Sequence, residues 1–203
     1  MPVGPHPLPW PDDPRLDPEL LTHGDARNVV DGYRYWTVEA IVADLNTRRS
    51  ALHVAIENIE HDLNIGSIVR TANAFNVAGV HVVGRRRWNR RGAMVTDAYL
   101  SITHHPDPED LQDWATAQDL PILAVDVVPG AIPIDEYAMP RGCVLLFGQE
   151  GPGLSPQAIA GSDAVLSISQ YGSTRSINVA AAAAIAMHCW ARTHLDGAGH
   201  EAG

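Results

Sequence analysis

Three short stretches hold side chains whose types and spacing suit chemistry rather than packing. SQYGSTRSINVAAAAAIAMHCW, residues 169–190, sets Arg175, Ser176 and Asn178 at the mouth of an alanine-rich helical run. A helix start needs one side-chain acceptor for its free N–H groups, so three polar residues leave two for a ligand or for solvent. GQEGPG, residues 148–153, places Gly148, Gly151 and Gly153 around Glu150. Glycine lets backbone come close to a ligand, and exposed N–H groups with one acid suit an adenosine-like molecule better than a polyphosphate, although a plain tight turn uses the same residues. RRRWNRR, residues 85–91, gathers Arg85, Arg86, Arg87, Arg90 and Arg91 around Trp88. Guanidinium forks match phosphate oxygens and an indole offers a stacking face, so this run is either a nucleic-acid patch or a solvated loop.

Such loops need a frame. LHVAI (52–56), GVHVVG (79–84), PILAVDVV (121–128), CVLLFG (143–148) and AVLSIS (164–169) read as short buried strands, with a further one around AYLSI (98–102). Between them NIGSIVRTANAF (64–75), PEDLQDWATAQ (108–118) and LSPQAIAG (154–161) carry helical patterns, and the alanine run extends a last helix to about Thr193. Strands alternating with helices predict an α/β fold, a mostly parallel sheet with helices on both faces. In such sheets ligands collect outside the carboxyl ends of the strands, where all three loops fall.

Length and composition set the outer limits. At 203 residues the chain suits one domain plus an appendage. Residues 1–18 hold seven prolines and are expected to form an extended or disordered arm. Residues 19–50 read as an N-terminal helical extension, with Thr37 as an N-cap before TVEAIVADLNTRR. The main domain is expected over 51–195 and a tail over 196–203. No apolar run approaches the roughly 20 residues of a membrane span, and the start lacks the pattern of a secretory signal. Cys143 and Cys189 show no metal-ligand spacing and none of the ten histidines falls in HExxH, so no metal site is expected and a cytoplasmic setting is. GxGxxG does not follow the first strand, and with no lysine in the chain a P-loop is impossible.

NIGSIVRTANAFNVAGVHVVG (64–84), LLFGQEGPGLS (145–155) and ISQYGSTRSINVAAAAAIA (168–186) together resemble, in order and spacing, the three signature motifs of the SpoU/TrmH branch of the SPOUT RNA methyltransferases. The resemblance covers about 52–193. It implies S-adenosylmethionine-dependent methylation of a ribose 2′-hydroxyl in tRNA or rRNA, a deep trefoil knot at the C-terminal end of the sheet, and a homodimer with sites near its interface. It also implies a catalytic set of Arg70, Asn64, Glu150, Ser176 and Asn178. The cofactor residues it implies are Val125, Phe147, Gly148, Gln149, Gly153, Ile168, Gln170, Ser176 and Ile177. Four positions depart from the family pattern: Gln149 where Asn is usual, Asn76 where Gly is, Ile177 where Leu is commonest, and Arg175 where an acid is frequent.

The residues leave several roles open. A guanidinium is normally never deprotonated, so Arg70 is a general base, a clamp on phosphate and ribose, or a structural ion-pair member. Asn64 either caps its helix or orients Arg70 or the ribose. A net charge of −10 opposes a polyanion at long range, so an RNA partner requires local patches acting within a Debye length of roughly 8 Å. RRRWNRR, extended by Arg48 and Arg49, is the expected patch. The small residues of the last helix suggest tight packing, with Ala182 expected to serve folding or dimerisation. A rival reading is a non-catalytic RNA-binding or assembly factor that keeps the knotted dimer. Nothing in residues 1–50 matches an RNA-binding module, so the sequence does not choose between tRNA and rRNA.

Overall fold

In a computed structural model the described residues are 2–57, 62–88, 90–148 and 152–195, without the side chains of residues 62, 63 and 91. Seven strands form one parallel sheet: β1 Leu52–Glu57, β2 Gly79–Val83, β3 Ile102–His105, β4 Ile122–Val125, β5 Ile132–Pro133, β6 Cys143–Phe147 and β7 Ala164–Ser167. Their order across the sheet is β3-β2-β1-β6-β4-β7-β5. The central strands read as continuous apolar runs because both faces are covered: every residue of β2, β4 and β6 is buried.

The helices divide between the faces. α3 (Asp62–Ala74) supplies Ile65, Ile68, Val69 and Ala72 to one core, and α6 (Val179–His194) supplies Ala183, Ala186, Met187 and Trp190 to the same one. On the opposite face α4 (Pro108–Ala117) and α5 (Pro156–Ala160) bury Leu111, Ala115 and Ala158. Trp190 is fully buried, and its Nε1 donates to the carbonyls of Pro140 and Arg141 at 3.1 and 3.2 Å. Cys143 is buried in β6, where desolvation pushes its thiol up to about 12.

Three local expectations change. The strand expected at 98–102 is a 3-10 turn, Thr96–Tyr99, followed by β3 at Ile102–His105. Met94 and Val95 have φ of 50° and 69°, which turns the chain there, and Tyr99 packs on the N-terminal extension instead of joining the sheet. The two-residue β5, an edge strand ending in Pro133, is too short to leave a pattern. In residues 19–50 only α1 (Pro18–His23) and α2 (Val38–Asn46) are α-helical, with a 3-10 turn at Asp31–Tyr33 between them.

Residues before α1 run as an extended arm. Val3 and Asp25 exchange backbone hydrogen bonds of 2.9 Å, and Tyr35 Oη donates to the Gly4 carbonyl at 2.7 Å. The Asp25 side chain is fully buried and accepts from Arg27 and from the Tyr35 amide. Burial alone would raise its pKa, but the Arg27 side chain and the two backbone amides outweigh that and hold it at about 2. Residues 196–203, expected as a tail, lie outside the described residues.

The extension is latched to the main domain by Asn76. Its φ of 47° makes the left-handed turn after α3, a conformation Asn tolerates. Its Nδ2 donates to the Arg48 carbonyl at 3.0 Å, and its Oδ1 accepts from Arg49 Nη1 at 3.0 Å. Arg49 Nη2 also reaches the Tyr99 carbonyl at 2.5 Å. Asn76→Gly keeps the turn and deletes the latch, so it is expected to cost about 1–2 kcal/mol in urea denaturation and to hasten proteolysis before residue 50. Unchanged stability and cleavage would show that the latch contributes nothing.

Candidate active site

A cleft of about 360 Å³ opens at the carboxyl ends of β4 and β6. β4 delivers Val125 and, just past its end, Asp126 and Val127; β6 delivers Phe147 and the following Gly148. Gly153 comes from the next loop, Ile168, Gln170, Ser176 and Ile177 from the segment after β7, and Asn178, Val179 and Ala182 from the start of α6. The sequence-predicted cofactor residues, Gln149 excepted, therefore share one cavity. Gln149 and Glu150 lie outside the described residues.

Backbone contact shapes the floor. A Cβ on Gly148 would sit 2.4 Å from the Gly153 carbonyl carbon, and one on Gly153, whose φ is 74°, would sit 2.6 Å from Asp126 Oδ2. The gap is filled by hydrogen bonding. Asp126 Oδ2 accepts from the Leu154 amide at 2.8 Å, and Oδ1 from the Val127 amide at 2.7 Å. On the far side Glu57, buried at the end of β1, accepts from the Ser155 amide at 2.8 Å. Two carboxylates thus hold the chain between Gly153 and α5. Sequence reasoning missed both, although each is an acid at or just past the end of an apolar strand.

Asn178 is the N-cap of α6: its Oδ1 accepts from the amides of Ala180 and Ala181 at 2.9 and 3.4 Å. Its Nδ2 donates to Asn64 Oδ1 at 3.0 Å, which ties the start of α6 to the start of α3. Asn64 lies inside α3, which begins at Asp62, so capping is not its role. Ser176 is exposed on the cleft rim. Arg175 is exposed beside it and bonds nothing among the described residues. Arg70, on α3, is exposed, makes no hydrogen bond or ion pair among the described residues, and does not line the cleft. Ala183 and Ala186 face the core, whereas Ala182 lines the cleft, so a leucine at 182 would enter ligand space before it disturbed packing.

The basic loop lies beyond β2. Arg86, Arg87, Trp88 and Arg90 line one surface depression. Trp88 is half-buried against the core, and the Arg90 guanidinium sits 5.9 Å from its ring centre while pairing with Asp97 at 3.3 Å. Arg85 is exposed next to them; the Arg91 side chain lies outside the described residues. At the loop's root His104 Nε2 and the Gly84 carbonyl are 2.7 Å apart. Arg48 and Arg49 do not extend this surface. Arg48 pairs with Asp44 at 3.1 Å and with Tyr33, and Arg49 is committed to Asn46, Asn76 and Tyr99.

A second polar group is buried across the sheet face under α4. His53 Nδ1 and His81 Nε2 are 3.0 Å apart, His81 Nδ1 and His105 Nε2 2.8 Å, and His105 Nδ1 and Asp110 Oδ2 2.7 Å. Trp114 packs on His81 with ring centres 4.1 Å apart. Burial lowers the His53 pKa, and burial together with the neighbouring imidazoles takes His81 down to about 3. Among the described residues no group of three or more His, Cys, Asp or Glu is placed to hold a metal ion, and no helix is long and apolar enough to cross a membrane.

Fold and cleft define an α/β domain with a cavity outside the carboxyl ends of its central strands, the usual place for a ligand in such sheets. The pattern of the SpoU rRNA methylase family matches residues 51–188, and the chain belongs to that family. A tRNA (guanosine(18)-2'-O)-methyltransferase from Escherichia coli is 29% identical over 147 residues, 71% of this chain and 64% of that protein. A Mycobacterium avium protein named as an uncharacterized tRNA/rRNA methyltransferase is 32% identical over 186 residues, 86% of this chain and 59% of that protein. The SpoU methyltransferase AviRb from Streptomyces viridochromogenes, in complex with the cofactor AdoMet, superimposes with a TM-score of 0.68 at 26% identity, over 74% of this chain and 60% of that one. The chain thus spans less than two thirds of the length of these relatives.

Proposed function

We propose that this protein transfers a methyl group from S-adenosylmethionine to a ribose 2′-hydroxyl of structured RNA. The observation that carries the reading is the convergence of residues from the second and third sequence motifs on one cleft, with Asn64 of the first motif bonded to Asn178 on its wall. The cleft fits such a cofactor: its volume suits a small ligand, Phe147, Ile168 and Val125 offer apolar walls, and Gln170, Ser176 and Asn178 add a few polar groups to the lining. S-adenosylmethionine, when bound, supplies an electrophilic methyl group. The protein's part is to hold the acceptor ribose in line with it, an alignment able to supply several kcal/mol of the barrier. Arg70, a cation unspent on any described neighbour, clamps phosphate and the 2′-oxygen; Ser176 at the rim bonds the ribose; Asn64 and Asn178 fix the two helices that carry these groups. Glu150 completes the catalytic set.

The RNA is bound through the arginine loop, where Arg85, Arg86, Arg87, Arg90 and Arg91 meet phosphates and Trp88 stacks beneath them. The SpoU domain comprises 51–195, preceded by a proline-rich arm over 1–18 and a helical extension over 19–50. The segment after β7 threads as a trefoil knot, a reading supported by its return to the mouth of β6. Two copies form a homodimer, supported by exposed apolar groups near the cleft: Val127, Tyr171 and Ile185. The setting is cytoplasmic.

Calorimetric titration with S-adenosylmethionine followed by transfer of labelled methyl to tRNA and rRNA tests the proposal. Mass-spectrometric mapping of ribose methylation in cells with and without the protein then identifies the nucleotide. Binding to RNA without transfer would make the chain a non-catalytic factor. The double variant Arg86→Ala with Arg87→Ala is expected to weaken RNA binding and flatten its salt dependence while cofactor affinity stays unchanged. Equal loss of both affinities would remove the patch from the account.

A further inference from the structure

Beside the arginine loop the chain holds two large apolar side chains out in solvent on an unfavourable backbone. Met94 is 56% exposed and Val95 65%, with φ of 50° and 69°. A β-branched residue in the left-handed region is a steric outlier, and such conformations persist where the surroundings over-determine them. Here they do. Ala93 on one side is fully buried and Thr96 on the other nearly so, and Thr96 Oγ1 donates to the Ala93 carbonyl at 2.6 Å. Gly92 lies so close to α3 that a Cβ on Gly66 would sit 2.6 Å from its Cα. The Arg90–Asp97 pair, 3.3 Å apart, closes 90–97 into a loop with Met94 and Val95 at its tip. Arg90 also borders the depression lined by Arg86, Arg87 and Trp88, and the chain from Arg90 to Met94 spans at most about 14 Å.

We propose that Met94 and Val95 form a rigid apolar wedge against an unstacked base of the RNA whose phosphates the arginine loop holds. The inference rests on reading that loop as an RNA surface. Phosphate contacts position a polyanion without reading its bases, and an apolar tip a few residues away gives a base face something to pack on. Methionine and aliphatic side chains serve as wedges of this kind in other nucleic-acid-binding proteins. A second copy of the chain is the poorer occupant, because an isologous contact through this tip would bring the exposed Arg85, Arg86 and Arg87 towards their own copies. The contact is apolar, so its share of the affinity does not depend on counterion release.

Met94→Asn with Val95→Gly tests the wedge, because Asn-Gly suits two successive positive φ values and keeps the turn while removing the apolar surface. Its urea midpoint is expected to match or exceed that of the wild type. Labelled total tRNA, fragmented rRNA and a fully paired RNA duplex are titrated with each protein across a range of salt. The variant is expected to bind tRNA or rRNA about ten-fold more weakly, with an unchanged slope of affinity against salt. On the duplex, whose interior offers no unstacked base, the two proteins should match. The single variant Met94→Asn, which leaves Val95 in place, should lose part of the same factor. Equal affinity of variants and wild type for tRNA and rRNA overturns the inference. So does a loss that also appears on the duplex or flattens the salt slope, which would mean that the turn only places the arginines, and so does lost self-association in sedimentation with RNA binding intact. If the wild type binds no RNA, the arginine-loop reading fails and takes the inference with it.

Discussion

Arg70→Ala is expected to lower the rate of methyl transfer by about 10²–10³-fold, the loss typical of removing one preorganised donor from a developing oxyanion. Cofactor affinity should stay near the wild-type value, because Arg70 does not line the cleft. The guanidinium is exposed on α3 and bonds nothing among the described residues, so no ion pair with any of them is lost with it. Arg70→Lys separates the two catalytic roles. A lysine keeps the charge but not the planar fork, and its ammonium deprotonates far more readily than a guanidinium. A clamp therefore predicts a slow Lys variant whose rate–pH profile keeps the wild-type shape; a base predicts a new alkaline limb. Full activity in Arg70→Ala would take this residue out of the mechanism.

The second large effect is on stability in mild acid. Histidine in an unfolded chain titrates near 6.5, whereas buried His81 stays neutral down to about 3, and burial shifts His53 in the same direction. Between these values the unfolded chain binds more protons than the folded one, so stability is full above about pH 6.5 and falls as pH drops. The slope is at most about 1.4 kcal/mol per pH unit for each such group, or about 2 kcal/mol between pH 6.5 and pH 5 for His81 alone. Asp25, held at about 2, is a depressed carboxylate; its stabilisation is lost only below its ordinary value near 4, outside this window. Urea denaturation midpoints should therefore fall from pH 7 to pH 5 in the wild type and fall less in His81→Asn. A pH-independent wild type would overturn the assignment.

Much of this was legible in the residues. The α/β class followed from strands of unbroken apolar character such as CVLLF, which only a doubly covered sheet requires. The cleft residues were legible because their motifs carry glycines and polar groups where packing needs neither. What escaped were effects of partner rather than of type. Nothing in TRRS tells Arg49 bonded to a carbonyl from an arginine facing RNA. Asp126 and Glu57 read as ordinary strand-end acids until the amides of Leu154 and Ser155 come to meet them from distant sequence. His53, His81 and His105 sit on three different strands, and only the parallel register lines them up. The strand misplaced at AYLSI failed for a similar reason: Tyr99 is drawn to α2, a long-range contact no local pattern encodes.

The bond between Asn178 and Asn64 has a thermodynamic corollary. One end caps a helix whose first turn lines the cleft, and the other sits on the helix that carries Arg70. If a cofactor settling against α6 tightens that bond, the change reaches α3 and RNA affinity rises by some factor. Reciprocity then requires RNA to raise cofactor affinity by the same factor. A single amide pair between two helices would thereby favour the ternary complex over either binary one, whichever substrate arrives first.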